Sequence, residues 1–238
     1  MSNNTVIVIP ARLESTRLAR KVLLDIHGQT MLERVWHLAI AAQVGEVFIA
    51  TDSDEITHAA NLFGAQVVKT GEHDSGTSRI ASIIDKLSLD PDSIVINLQA
   101  DEPLLPIAVI QQLASFAHST NASAASICSY NDQLAAAEDP SVVKVVCQNN
   151  GDALYFSRQL IPHQASNFLQ HHGIYAYKAA TLKQWAELKP TVLEQAERLE
   201  QLRLIENGYR IAMHKVKQAL PTGVDTVADL ERVRELMQ

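Results

Sequence analysis

The sequence predicts an α/β fold: a mostly parallel central sheet flanked by helices, with a small appended lobe. Three observations carry this. Thr5–Pro10 (TVIVIP) and Ser93–Leu98 (SIVINL) are continuous apolar runs, the signature of strands buried on both faces. Between them, strand-like Glu46–Thr51 and Ala65–Lys69 alternate with helical segments, as in right-handed βαβ units. Beyond residue 120 the strands shorten and their spacing loosens, as expected where a lobe is added to the same sheet.

Each element has its own reason. Met31–Ala42 is amphipathic, and Ser53–Phe63 opens on a capping residue, Ser53 or Asp54. Thr77–Leu87 places Ile80, Ile83, Ile84 and Leu87 on one helical face. The four early strands are expected in the order 3-2-1-4, which reverses between the first and the fourth. Ligands of open α/β sheets lie outside the strand C-termini at such a reversal. The loops after Pro10 and Leu98 are therefore the expected site. Further strands are expected at Ala122–Tyr130, Val142–Gln148, Ala153–Ser157, Gly173–Tyr177 and Tyr209–Val216. Helices are expected at Leu193–Glu206, stopped by Asn207-Gly208, and at Thr226–Met237. No linker or repeat interrupts the chain, so residues 1–238 read as one domain with halves at 1–120 and 121–238.

Composition narrows the function. The 238 residues suffice for one sizeable core and a small lobe. With 47% hydrophobic and 20% charged residues, the chain is ordinary globular protein. A net charge of −7 without a basic stripe argues against nucleic-acid binding. Phosphates would have to be met by a local cluster of cations. The N-terminus shows no signal-peptide pattern, and no apolar run approaches the ~20 residues that span a bilayer. Cys128 and Cys147 form neither a C-x-x-C pair nor a zinc spacing and read as buried reduced thiols. A cytoplasmic protein that binds no membrane is expected.

The loop Pro10-Ala11-Arg12-Leu13-Glu14-Ser15-Thr16-Arg17-Leu18-Ala19-Arg20-Lys21 holds four cations against one carboxylate, so its expected ligand is a polyanion. Neither the dinucleotide fingerprint nor the P-loop pattern is present, which leaves side-chain charge to hold phosphates and demotes an NAD-dependent oxidoreductase. Asp101 follows a buried strand, where a carboxylate can hold Mg²⁺ or merely cap a helix. Asp74-Ser75-Gly76-Thr77 opens a helix and reads equally as a ligand turn or a plain cap. His171-His172 lacks a third ligand at zinc spacing.

Taken together, these segments resemble the CMP-Kdo synthetases, the 3-deoxy-manno-octulosonate cytidylyltransferases. The matching blocks are PAR-x-x-STRL-x-x-K at 10–21, TD at 51–52, H-x-SGT at 73–77, NLQADEP at 97–103, VKVV at 143–146, ALYFSR-x-x-IP at 153–162, H-x-GIYAY at 171–177, LEQLR at 199–203 and GVDT-x-x-DLERV at 223–233. They cover nearly the whole chain in order. The resemblance implies a Rossmann-like nucleotidyltransferase fold and a homodimer acting in lipopolysaccharide precursor synthesis. The 121–238 half would bind the sugar and dimerise. CMP would pass from CTP to the anomeric hydroxyl of 3-deoxy-manno-octulosonate (Kdo), an acidic 2-keto sugar, with Mg²⁺ as cofactor. By the same resemblance, Ala11, Arg12 and Lys21 would contact CTP, with Ser75 near the cytosine. Asp101 and Asp225 would bind Mg²⁺. Gln99, Tyr155, Arg158, His171, Glu200 and Gln201 would line the sugar pocket, and Tyr175 is a further candidate. Lys21, Asp101 and Asp225 form the expected catalytic set.

Within that frame Arg158 is the expected partner of the sugar carboxylate, unless it pairs structurally with Glu200. Glu200 would also suit an ammonium at C8, so 8-amino-Kdo or another 2-keto sugar acid is the alternative acceptor. A non-catalytic CTP or CMP-sugar binder is the alternative of another class. Two departures stand out. Ala19-Arg20 replaces the Pro-Gly common in the family, so Arg20 either reaches a phosphate or points to solvent. The Pro162–His171 stretch is short, which would open the pocket rim.

Overall fold

A computed structural model describes residues 4–15 and 17–237; Thr16 of the first loop lies outside them. The strands are β1 (Thr5–Pro10), β2 (Asp25–Ile26), β3 (Gln29–Thr30), β4 (Glu46–Thr51), β5 (Gln66–Lys69), β6 (Ile94–Asn97), β7 (Ala124–Asn131), β8 (Lys144–Cys147), β9 (Ala153–Ser157), β10 (Phe168–Lys178) and β11 (Ile211–Val216). The helices are α1 (Met31–Ala42), α2 (Asp54–Leu62), α3 (Gly76–Ala81), α4 (Ile107–Ser119), α5 (Leu134–Glu138), α6 (Ala179–Glu187), α7 (Val192–Glu197), α8 (Leu202–Glu206) and α9 (Val227–Leu236), with a 3₁₀ turn at Lys21–Leu23.

One nine-stranded sheet runs β11-β7-β10-β6-β1-β4-β5, with β8 and β9 branching from β10. The four early strands are parallel in the expected order, β5-β4-β1-β6. Successive residues of β1 feed opposite cores, which is why its sequence does not alternate. Ile7 and Ile9 pack toward α1, α2 and α4, while Val6 and Val8 join the core of Ile80, Leu182 and Trp185. The second half is mixed. β10 runs antiparallel to both β6 and β7, and β11 returns parallel to β7.

Four expectations change. The 173–177 strand is the end of a longer β10, whose first half pairs with β8 in the lobe and whose second half fills the gap between β6 and β7. Its register shifts between His172 and Tyr175. The helix expected at 193–206 is two, because Arg198 adopts a left-handed conformation (φ 54°) after α7. Glu194 of α7 then takes two bonds from the Arg203 guanidinium, at 2.8 and 2.5 Å, which fold α8 back against it. The helix at 77–87 is regular only as α3 and continues as turns, although Ile80, Ile83 and Ile84 are buried as expected. Of the two free cysteines, Cys128 is buried and Cys147 only partly so.

Gly45 precedes β4 at the sheet's N-terminal side. A Cβ there would lie 1.8 Å from the Thr5 carbonyl oxygen, so any side chain must push β1 and β4 apart. We expect Gly45→Ala to destabilise the protein by about 1–3 kcal/mol, the usual scale of overpacking. Urea unfolding checks this; an unshifted midpoint would show that the backbone yields freely.

Candidate active site

The two loops marked by the strand order meet, as expected, at the C-terminal ends of β1 and β6. Ala11 is buried and tied to β4 through its N–H, which donates to Ala50 O at 2.9 Å. After β6, the Gln99–Pro103 loop turns back on itself, and a third segment joins it. The Val224 N–H donates to Asp101 O at 2.9 Å. Gly223 permits that approach, because a Cβ would stand 3.1 Å from the same oxygen. α9 anchors the segment by packing Leu230 and Val233 against Ile26 and Met31.

The result brings Lys21, Asp101 and Asp225 together. Lys21 Nζ donates to Asp101 Oδ2 at 2.5 Å and to Asp225 Oδ1 at 3.1 Å, and Arg17 Nη2 reaches Asp225 Oδ1 at 2.9 Å. Burial alone would depress the Lys21 ammonium, but the two carboxylates outweigh it and raise its pKa above 10.5. Beside them Glu102 is pushed up to about 8, first by burial and then by the charges of Asp101 and Asp225.

Two clefts open from this point. One, of about 250 Å³, is lined by Ala11, Arg12, Ser15, Arg17, Ser75 and Arg79 among others. The other, of about 700 Å³, is lined by Gln170, His171, His172, Tyr175, Leu199 and Gln201 together with the Pro221–Thr226 loop. Arg17, Gln99, Asp101 and Asp225 line both. Ala11, Arg12, Lys21 and Ser75 thus stand on the smaller cleft, and His171, Tyr175 and Gln201 on the larger.

Tyr155, Arg158 and Glu200 line neither cleft. The Arg158 guanidinium is spent on carbonyls: Nη1 donates to Pro140 O at 2.7 Å, Nε to Glu197 O at 2.8 Å and Nη2 to Arg198 O at 3.2 Å. Its expected alternative, an ion pair with Glu200, is not formed. Glu197 instead accepts from Tyr155 and Ser157 hydroxyls and from the Arg158 N–H. Glu200 lies beneath α3 and accepts from the Thr77 hydroxyl at 2.8 Å; burial raises its pKa, offset in part by Ser75 and Thr77. A C8 ammonium therefore has no open contact with Glu200.

Sequence reasoning missed Arg79 and Lys144. Arg79, 3% exposed, donates to Asp52 Oδ2, Thr70 Oγ1 and Gly71 O and so fixes the loop before Ser75. Lys144 is fully buried and donates to Asp139 O and Arg158 O. The TD and VKVV blocks were the only signals for either. Arg20 adopts a left-handed conformation (φ 55°), the reason glycine suits that position, and its guanidinium pairs with Glu55 on α2 rather than facing the cleft.

Asp101 and Asp225 satisfy one test for a divalent cation: hard oxygens from two segments face the same point, where both clefts meet. Among the described residues no group of three or more His, Cys, Asp or Glu side chains forms a self-sufficient metal site. Two carboxylates are what Mg²⁺ takes when phosphate oxygens and water complete its shell.

The fold and paired clefts define a nucleotidyltransferase architecture. A sequence profile of the cytidylyltransferases matches residues 6–211, and the chain belongs to that family. It is 44% identical to a 3-deoxy-manno-octulosonate cytidylyltransferase of Francisella tularensis subsp. holarctica and 40% identical to one of Histophilus somni, in each case over 98% of both chains. A solved structure of CMP:2-keto-3-deoxy-manno-octonic acid synthetase complexed with CTP superposes with a TM-score of 0.91, at 41% identity over 98% of both chains.

His171 and His172 are buried, with Nε2 atoms 2.9 Å from Ser126 Oγ and 2.8 Å from Ser129 Oγ. Burial pushes their pKa values down to about 3 and about 4, with the neighbouring His172 adding to the effect on His171. Their usual value is 6.5. Below about pH 6.5 the unfolded chain therefore binds protons that the folded chain refuses, so these residues lower stability as pH falls towards 4. We expect the urea midpoint to drop between pH 7 and pH 5, and less steeply in His172→Gln. Equal slopes would remove His172 from the account.

Proposed function

We propose that this protein transfers CMP from CTP to the anomeric hydroxyl of 3-deoxy-manno-octulosonate, releasing pyrophosphate. The observation that carries the reading is the meeting of Asp101 and Asp225 where a small cation-lined cleft joins a larger polar one. The smaller cleft suits the nucleotide: Arg12, Arg17 and Lys21 offset triphosphate charge, and Ala11 and Ser75 shape the wall around the nucleoside. The larger cleft suits the sugar: Gln99, Gln201 and the neutral His171 can exchange hydrogen bonds with hydroxyls, and Tyr175 forms a flat wall.

Asp101 and Asp225 would hold Mg²⁺, which when bound supplies charge neutralisation on the phosphates and favours deprotonation of the attacking hydroxyl. The chain's own share is positioning. Gln99 reaches both clefts and can hold the acceptor hydroxyl facing the α-phosphate while pyrophosphate departs on the opposite side. Lys21 remains against the carboxylates and follows the charge that builds on the leaving group.

Pyrophosphate release from CTP with this sugar acid and Mg²⁺, together with mass spectrometry of the CMP-sugar, tests the reading; no release would sink it. Asp101→Asn and Asp225→Asn should each lower kcat by about 100-fold or more. Their effects should not add, because the two act as a unit. Near-normal turnover in either variant would remove that residue from the machinery.

The resemblance also supports a homodimer working in the cytoplasm on lipopolysaccharide precursors. Sedimentation should give the mass of two chains, and a monomer at micromolar concentration would overturn the dimer. Among the described residues no helix is long and apolar enough to cross a membrane.

A further inference from the structure

On the acceptor proposed above, the sugar carries a carboxylate, and that charge must find a partner when it leaves water. The larger cleft offers little welcome to an anion. Asp101, Asp139, Asp225 and Asp229 line it, against two arginines, Arg17 and Arg232. His171 and His172 are held neutral by burial. Just before α9 the N–H groups of Asp225 and Thr226 donate to Asp229 Oδ2 at 3.2 and 2.9 Å, and within its first turn the Asp229 N–H donates to the Thr226 hydroxyl at 3.2 Å. Arg158, the partner expected from sequence, is committed to three carbonyls.

The two arginines differ in place. Arg17 lines both clefts and holds Asp225, so it stands at the junction with the nucleotide. Arg232 lines the larger cleft and not the smaller. It projects from α9 and is aimed by two contacts through one nitrogen: Nη2 donates to Thr222 Oγ1 at 2.8 Å and lies 3.2 Å from Asp229 Oδ1. Among the described residues its Nε and Nη1 have no hydrogen-bond partner, and the side chain is 46% exposed. It is thus a held cation with donors to spare, in a cleft whose other charges are mostly negative.

We propose that Arg232 receives the carboxylate of the acceptor and thereby selects sugar acids over neutral sugars. An arginine suits the task because it stays charged and offers planar N–H donors matched to carboxylate oxygens.

Steady-state pyrophosphate release by wild type, Arg232→Gln and Arg232→Lys tests this. Arg232→Gln should raise KM for the sugar acid about 10- to 100-fold, the scale of a lost charged hydrogen bond. It should leave kcat and KM for CTP within about twofold, and Arg232→Lys should recover part of the loss. The wild type should prefer the acid to its primary amide, and Arg232→Gln should lose most of that preference. The contact is refuted by an unchanged KM for the acid, or by an undiminished preference over the amide. It is also refuted by a KM for CTP that rises as much as that for the acid, since that would mark Arg232 as a support for the Asp225 loop. A wild type that releases no pyrophosphate with any such acid overturns the proposed function instead.

Discussion

The hydrogen bond from the Val224 N–H to the Asp101 carbonyl is the constraint on which the site depends. It joins the end of a central strand to a loop far along the chain, and it sets two carboxylates side by side where they would otherwise repel. Lys21, delivered by the loop after β1, makes that arrangement tolerable. The balance is narrow. Glu102, buried next to the pair, is pushed up to about 8 and stays largely protonated at neutral pH. Glu102 thus adds little charge beside the pair at neutral pH.

The same charges divide the molecule's labour. In a protein of net charge −7, the smaller cleft gathers Arg12, Arg17, Lys21 and Arg79. The larger cleft is lined by four aspartates and by histidines buried too deeply to charge. On the proposed reading, a polyanion and a hydroxyl-rich ligand would be sorted by electrostatics before any specific contact forms. The two clefts share only the wall of Arg17, Gln99, Asp101 and Asp225 among the described residues.

The first half of the fold was legible because its strands are buried on both faces and its helices lie between them in simple order. Strand order then located the two loops without any motif. The second half was harder for physical reasons. β10 serves two partners in turn, so its length depends on distant β6, β7 and β8 rather than on its own pattern. The break between α7 and α8 depends on Arg198 entering a conformation its residue type does not advertise. The helices α4, α5 and α6 have no counterpart among the sequence expectations. In the site, Lys21, Asp101 and Asp225 were legible as a set because each lies on a block of the resemblance, and the structure draws them together.

Residue chemistry alone was a poorer guide to the sugar side. A guanidinium can meet a ligand carboxylate or gather backbone carbonyls, and nothing in the sequence around Arg158 distinguishes the two. The difference lies in what surrounds it. The Pro140 and Arg198 carbonyls sit beside residues that line the larger cleft, and both accept from the Arg158 guanidinium. Lys144, buried beneath, takes the Asp139 and Arg158 carbonyls, while Glu197 holds the Arg158 N–H from the other side. These charged side chains act through the backbone they fix. Arg158 and Lys144 are thereby committed to carbonyls, whereas Arg232 keeps Nε and Nη1 without a partner among the described residues.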